Sequence, residues 1–254
     1  MVQQGTRRPL VAGNWKMHGS EAQARSRVRM LLVGSAGLTC DVLVAPPCLH
    51  IPAVAEILRG SSIGVASQDV SEHPAGAFTG QISAAMLHDA GCAAVIVGHS
   101  ERRAHAGETD VQVAGKFIAA RAAQLVPILC VGETLAERDA GVTAAVVIHQ
   151  LDAVLLRVGA EGFAGAVVAY EPIWAIGTGR NATPMQAQEV HALLRARLAQ
   201  QDAGLAAATR IIYGGSVRAG NARVLFEMPD IDGGLVGGAS LDAREFLEIC
   251  ASAR

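Results

Sequence analysis

Aromatic and charged side chains are scarce in this sequence. Aromatics make up 4% of its 254 residues, with two Trp and two Tyr, and charged residues make up 17%. The net charge is −2. So little charge excludes a disordered chain, which stays solvated by being polar. The lack of a basic excess argues against nucleic-acid binding through bulk positive charge. Long hydrophobic runs are missing as well. A membrane-spanning helix needs about 18 consecutive apolar residues. The longest candidate, residues 42–55, is shorter and carries Pro46, Pro47, His50 and Pro52. The apolar stretch after Arg7 and Arg8 soon meets Asn14 and Lys16, so a signal segment is rejected. The five Cys form no C-x-x-C pair and the eight His no H-E-x-x-H arrangement. These features predict reduced thiols in a cytoplasmic protein, with no metal and no cofactor.

What the chain does have is small and aliphatic. Hydrophobic residues reach 51% and the mean hydropathy is +0.32. Gly is enriched, at 28 residues or about 11%, against a usual level of roughly 7%. Eight short β-branched apolar runs recur, at residues 9–15, 42–45, 63–67, 93–98, 125–131, 166–170, 210–213 and 233–236. Each reads as a strand buried on both faces of a parallel sheet. Helical spacing lies between them, at residues 21–33, 110–123 and 144–157, and again where Val190, Leu193, Leu194 and Leu198 share a face. Thr183, Pro184 and Gln186 form the N-terminal signature of that last helix. Eight strand–helix alternations in this length, with no linker or charge run, predict an α/β chain folded as one (β/α)8 barrel domain over residues 1–254. A doubly wound sheet is the rival, but the first strand ends in GNWKMHG and not in a G-x-G-x-x-G turn.

In such a barrel the chemistry sits at the C-terminal ends of the strands. Strand one ends in Asn14 and Lys16, strand four in His99, Ser100 and Glu101, and strand five in Cys130 and Glu133. Strand six ends in Glu171 and Pro172, strand seven in Gly214, Gly215 and Ser216, and strand eight in Gly237 and Gly238. Singly, each group is an ordinary surface charge, structural His or turn Gly. Their gathering at one rim is what those readings leave unexplained. Together they suit one chemistry. A carboxylate takes a proton from carbon beside a carbonyl, an imidazole and an ammonium hold the developing enediolate, and Gly-rich turns present N–H groups to a phosphate.

The segments GNWKMHG (13–19), GAFTG (76–80), VGHSERR (97–103), PILCVGET (127–134), AYEPIWAIGTG (169–179), YGGSV (213–217) and LVGGASL (235–241) closely resemble the triosephosphate isomerase family. They run in order along nearly the whole chain. The resemblance implies a TIM barrel that interconverts dihydroxyacetone phosphate and glyceraldehyde 3-phosphate without a cofactor, working as a cytoplasmic homodimer. It implies Glu171 as the base and His99 as the neutral electrophile. The helical turn after His99 would lower its pKa. Lys16 and Asn14 would act at the substrate oxygen, with Glu101 as a partner near Lys16. Backbone N–H groups of Gly177, Ser216, Gly237 and Gly238 would bind phosphate. Pro172, Ile173, Trp174, Ala175, Ile176 and Thr178 would belong to a closing lid.

The resemblance also makes residues 68–83 a loop that docks into a second subunit, with Phe78 at its apolar tip and Thr79 reaching the partner's site. Family members often carry Glu where this chain has Gln81, and that Glu pairs with an Arg of the other subunit, here Arg102. His105 and Ala106 also stand where the family often has larger groups in the socket. Two other readings remain: an isomerase of a four-carbon sugar phosphate, and a phosphate-binding or interaction barrel without catalysis.

Overall fold

The computed structural model describes residues 7–176 and 182–254. Eight parallel strands close into a barrel in chain order. They are β1 (Leu10–Asn14), β2 (Asp41–Ala45), β3 (Ile63–Ser67), β4 (Ala94–Val97), β5 (Val126–Val131), β6 (Val167–Tyr170), β7 (Arg210–Tyr213) and β8 (Gly233–Val236). Every one matches an apolar run read from the sequence. Among the described residues eleven α-helices surround them. They are α1 (Glu21–Gly34), α2 (Ile51–Leu58), α3 (Ala84–Asp89), α4 (Ser100–His105), α5 (Asp110–Ala122), α6 (Leu135–Asp139), α7 (Thr143–Phe163), α8 (Pro184–Gln201), α9 (Ala203–Ala208), α10 (Ala219–Phe226) and α11 (Ala243–Ser252). The short α3, α4 and α6 span too few turns to leave a periodic signal in sequence.

Two cores explain the composition. Inside the barrel, small side chains such as Ala12, Ala45, Ala66, Ala94 and Ala169 pack with Leu10, Ile96 and Ile128. Outside, Val and Leu from both layers fill the space between strands and helices. The expected capping box of Thr183 and Gln186 is present on α8, and the same device starts α1, α5 and α6. Each such cap contributes on the order of 1 kcal/mol.

Closure falls between β1 and β8, with Leu10 opposite Gly233 and Gly13 opposite Val236. Gly233 has φ +128°, and a Cβ there would lie 2.0 Å from the Leu10 carbonyl oxygen. Only glycine lets the strands meet. Asp232 reinforces the seam from the strands' N-terminal ends. Its carboxylate accepts from Ile211 N–H (2.8 Å) and pairs with Arg195 (2.7 Å) and Arg7 (2.7 Å).

Residues 42–55 are not the longest apolar candidate for a membrane span; α7 is longer. It has a stretch of mean hydropathy 1.3, so by length and composition it could cross a bilayer. Its Val147, Leu151, Val154 and Leu155 are instead fully buried against the protein. Gly159, at φ +67°, interrupts its helical geometry.

His191 of α8 is fully buried behind the barrel wall. Its Nδ1 lies 3.0 Å from the Asp230 carbonyl oxygen, and its ring packs edge-on to Tyr170. Nε2 has no partner among the described residues. Burial, aided by nearby Arg195, lowers its pKa from 6.5 to about 4. Above pH 6.5 the group is neutral whether folded or unfolded. As pH falls toward 4, the unfolded chain takes up the proton first, so stability drops. We expect roughly 2–3 kcal/mol to be lost through this group between pH 7 and 4.5. Urea unfolding at both pH values should show a smaller loss for His191→Gln than for the parent chain.

Candidate functional site

The strand ends bring the expected groups together around a cavity of about 320 Å3, lined among others by Asn14, Lys16, His99, Glu171, Ser216 and Gly237. Asn14 ends β1 and is buried. Its Oδ1 accepts the Lys16 N–H at 3.0 Å. Lys16 itself sits at φ +51°, a left-handed conformation that costs a non-glycine residue on the order of 1 kcal/mol or more. Gln68 holds it there. Gln68 Nε2 donates to the carbonyl oxygens of Lys16 (2.8 Å) and Ala45 (2.9 Å). Lys16 Nζ pairs with Glu101 Oε1 at 2.5 Å. Burial disfavours the Glu101 charge, but Lys16 outweighs it and the Glu101 carboxyl lies below its usual range.

His99 precedes α4, and its Nδ1 accepts the Glu101 N–H at 3.2 Å. That contact requires a bare Nδ1 and leaves the proton on Nε2. His99 Nε2 stands 2.9 Å from Glu171 Oε1. The alignment is poor for a hydrogen bond, and Oε1 has no donor among the described residues. Glu171 Oε2 accepts the Ser100 N–H at 2.8 Å. Burial opposes charge on His99, but the carboxylates of Glu171 and, to a smaller extent, Glu101 together outweigh it and raise the His99 pKa. This reverses the lowering expected from the helical turn. An opposite charge at contact distance acts more strongly than the partial charges of one short turn.

Glycines make room around Glu171. A Cβ on Gly132 would come 1.8 Å from the Glu171 carbonyl oxygen, and one on Gly214 would come 2.9 Å from the Glu171 Cγ. Also lining the cavity, Ser216, Gly237 and Gly238 have N–H groups with no acceptor among the described residues, and Gly237 lies against the Lys16 side chain. A Cβ on Gly238 would meet open space. Three unpaired amides facing a cavity with Lys16 form a seat for an anion.

Sequence reading left Glu133 without a role. The structure buries it completely at the end of β5. Its Oε1 accepts from Tyr170 Oη (3.0 Å) and Trp174 Nε1 (2.9 Å) and pairs with Arg138 (3.2 Å). Arg138 also lies over the Trp174 ring at 4.5 Å. Ile173 N–H donates to the Glu133 carbonyl oxygen at 3.1 Å. Residues 173–175 form a single 3-10 turn after Pro172, with Ala175 buried and Ile176 lining the cavity. Gln150 also went unnoticed, although its amide makes both hydrogen bonds to the Gly132 backbone. Such partners leave no spacing signal. Gly177, Thr178 and Gly179 lie outside the described residues.

A larger cavity, about 580 Å3, adjoins the first and shares Asn14, Lys16, His99 and Glu101 with it. Its wall includes Met17, which is 93% exposed, and Ala106. Phe78 is partly exposed and stacked on His73 at 3.8 Å, and Thr79 is exposed beside it. Gln81 Oε1 accepts from Ser71 within the same loop, at 2.5 Å. Arg102 is paired within the chain with Asp69 (2.9 Å) and Glu108.

A carboxylate against an imidazole, a strained lysine and unpaired amides at the mouth of a (β/α)8 barrel suit proton transfer on a small anionic molecule. That defines the class. The triosephosphate isomerase family matches residues 9–253. Proteins named triosephosphate isomerase from Dechloromonas aromatica (strain RCB) and Thiobacillus denitrificans (strain ATCC 25259 / T1) are each 56% identical over 247 residues. The protein of that name from Nitrosococcus oceani is 54% identical over 248 residues. Each alignment covers 97% of this chain and 99% of the relative. The chain belongs to the triosephosphate isomerase family.

The Gly132 contact has a direct consequence. Gly132→Ala is expected to push the Glu171 backbone away and to cost about 1–3 kcal/mol of stability, as overpacking does. Chemical unfolding of the variant beside the parent measures it. An unchanged midpoint and slope would mean that the close approach is relaxed at no cost.

Proposed function

We propose that this protein interconverts dihydroxyacetone phosphate and D-glyceraldehyde 3-phosphate by proton transfer through an enediolate. The observation that carries this reading is the meeting of Glu171, His99 and Lys16 at one cavity that also offers unpaired amides. The substrate phosphate sits on the N–H groups of Ser216, Gly237 and Gly238, joined by Gly177. That anchorage sets the carbonyl oxygen between Lys16 and His99 Nε2–H, with Asn14 beside it. Glu171 removes a proton from the carbon next to the carbonyl. Charge builds on oxygen, where the ammonium and the imidazole N–H offset it. The protonated Glu171 returns the proton to the neighbouring carbon, while His99 passes the hydroxyl proton between the two oxygens. No external oxidant is consumed, because one carbon is reduced as the other is oxidised.

Pro172, Ile173, Trp174, Ala175, Ile176 and Thr178 belong to a lid over the substrate. Its front hinge is stiffened by Pro172 and tied to Glu133. Closure keeps water from the enediolate, which would otherwise expel its phosphate. We read residues 1–254 as one domain, in the cytoplasm. We also read a homodimer, in which Phe78, Thr79 and Gln81 of one protomer enter the larger cavity of the other. The exposed Met17 and Phe78 support an interface there.

Glu171→Gln should lower turnover of glyceraldehyde 3-phosphate at least about 10²–10⁴-fold, the usual worth of a general base, while a phosphate-bearing inhibitor still binds. A coupled assay without added metal or cofactor measures it, and faster turnover of a four-carbon sugar phosphate would favour the alternative substrate. Sedimentation at micromolar concentration should show a dimer. A fully active monomer would contradict the interface.

A further inference from the structure

Far from the barrel mouth, two segments distant in sequence meet beside the N-terminal end of β2. Thr39 Oγ1 donates to the Ala253 carbonyl oxygen at 3.1 Å. The next residue, Cys40, places its Sγ 3.4 Å from the Cys250 carbonyl oxygen near the end of α11. The neighbouring Cys250 side chain holds the Cys40 thiol below its usual pKa, and Cys40 together with burial pushes the Cys250 thiol up. Both side chains are buried. The remaining cysteines differ. Burial pushes the Cys92 thiol up to about 12, and burial with the nearby Glu171 carboxylate pushes the Cys130 thiol up. Cys48 is exposed.

We propose that Cys40 and Cys250 form a reversible disulfide that ties the start of β2 to the C-terminal helix. With the Cys40 Sγ already 3.4 Å from the main chain of Cys250, the two side chains rotate toward each other to bond. The co-reactant is a low-molecular-weight disulfide. The Cys40 thiolate attacks one of its sulfurs and releases one thiolate. The Cys250 thiol then gives up its proton, attacks the Cys40 sulfur and displaces the second thiolate. Two protein thiols are oxidised to one disulfide, and one small disulfide is reduced to two thiols. Access comes from the neighbourhood. Thr39 and Gly37 are exposed beside Cys40, and Ala251 and Arg254 beside Cys250. Cys250 lies in the last turn of α11, and helix ends fray more readily than the core.

The physical effect follows from the separation of the two residues, 210 positions apart. A link between them encloses seven of the eight strands and removes much of the unfolded chain's freedom. Oxidation therefore braces the barrel in its folded form. The groups at the mouth stand at the opposite ends of the strands, so the link forms without touching them.

The test uses the full chain with Cys48→Ser, so that the exposed thiol cannot compete, treated with oxidised glutathione. Free thiols counted after denaturation should fall from four to two. Tryptic peptides 30–59 and 245–254 should be joined until dithiothreitol is added. The melting temperature should rise by roughly 5 °C or more, given the size of the closed loop. Adding Cys40→Ser should abolish both the link and the rise. Four remaining thiols, a glutathione adduct on Cys40 with Cys250 still free, or a link that leaves the melting temperature unmoved would each overturn the proposal.

Discussion

Closure of the parallel sheet is the constraint on which the rest of this structure depends. An open parallel sheet leaves two edges of unpaired N–H and C=O groups, and a barrel leaves none. Here the last strand has to meet the first, and that seam tolerates no side chain at Gly233. Once the seam is shut, every strand points the same way, and all eight C-terminal ends form one ring. The convergence of Lys16, His99 and Glu171 follows from this ring, since they come from β1, β4 and β6. The N-terminal ends carry a different duty. There Asp232, Arg195 and Arg7 share buried charge across the seam, and their effect is on stability.

The mouth holds its charged groups at some energetic cost. Lys16 is kept in a left-handed backbone by Asn14 and Gln68. Glu171 is buried with one carboxylate oxygen satisfied by the Ser100 amide and the other left beside His99. Gly132 brings the backbone of Glu171 so close that any side chain would collide with it. Such strain persists only where surrounding contacts over-determine it. Those contacts reach back into the second layer: Gln68 to Ala45, Gln150 to Gly132, and Glu133 to Tyr170 and Trp174.

The scarcity of aromatic residues takes on meaning in this setting. Tyr170 and Tyr213 are buried in the wall around His191, Trp174 is pinned between Glu133 and Arg138, and Trp15 lies under Arg27. None fills the barrel interior, where alanine and branched aliphatics fit the narrow space. Tyr170 and Trp174 brace the Glu133 carboxylate near the mouth, while Phe117, Phe163 and Phe246 pack in the core between strands and helices. At the opposite end Cys40 meets the main chain of Cys250, 210 positions away, a contact that spacing could not suggest.

Sequence by itself determined the alternation of strands and helices and the residues at the strand ends. Both are local properties: burial on two faces selects short β-branched runs, and polar residues mark where burial stops. The TIM barrel and the family were legible for the same reason, because GNWKMHG, VGHSERR and AYEPIWAIGTG are contiguous. Tertiary structure alone decided what depends on distance between remote segments. The charge of His99 is governed by a carboxylate 72 residues away, against the expectation drawn from its own helical turn. Glu133, Gln68 and Gln150 gained their partners only on folding, because a hydrogen bond between remote residues imposes no pattern along the chain. The short helices α3, α4 and α6 escaped notice because a turn or two carries no period. The burial of one face of the apolar α7, at Val147, Leu151, Val154 and Leu155, was likewise settled by packing, since composition cannot say whether an apolar face will meet lipid or protein.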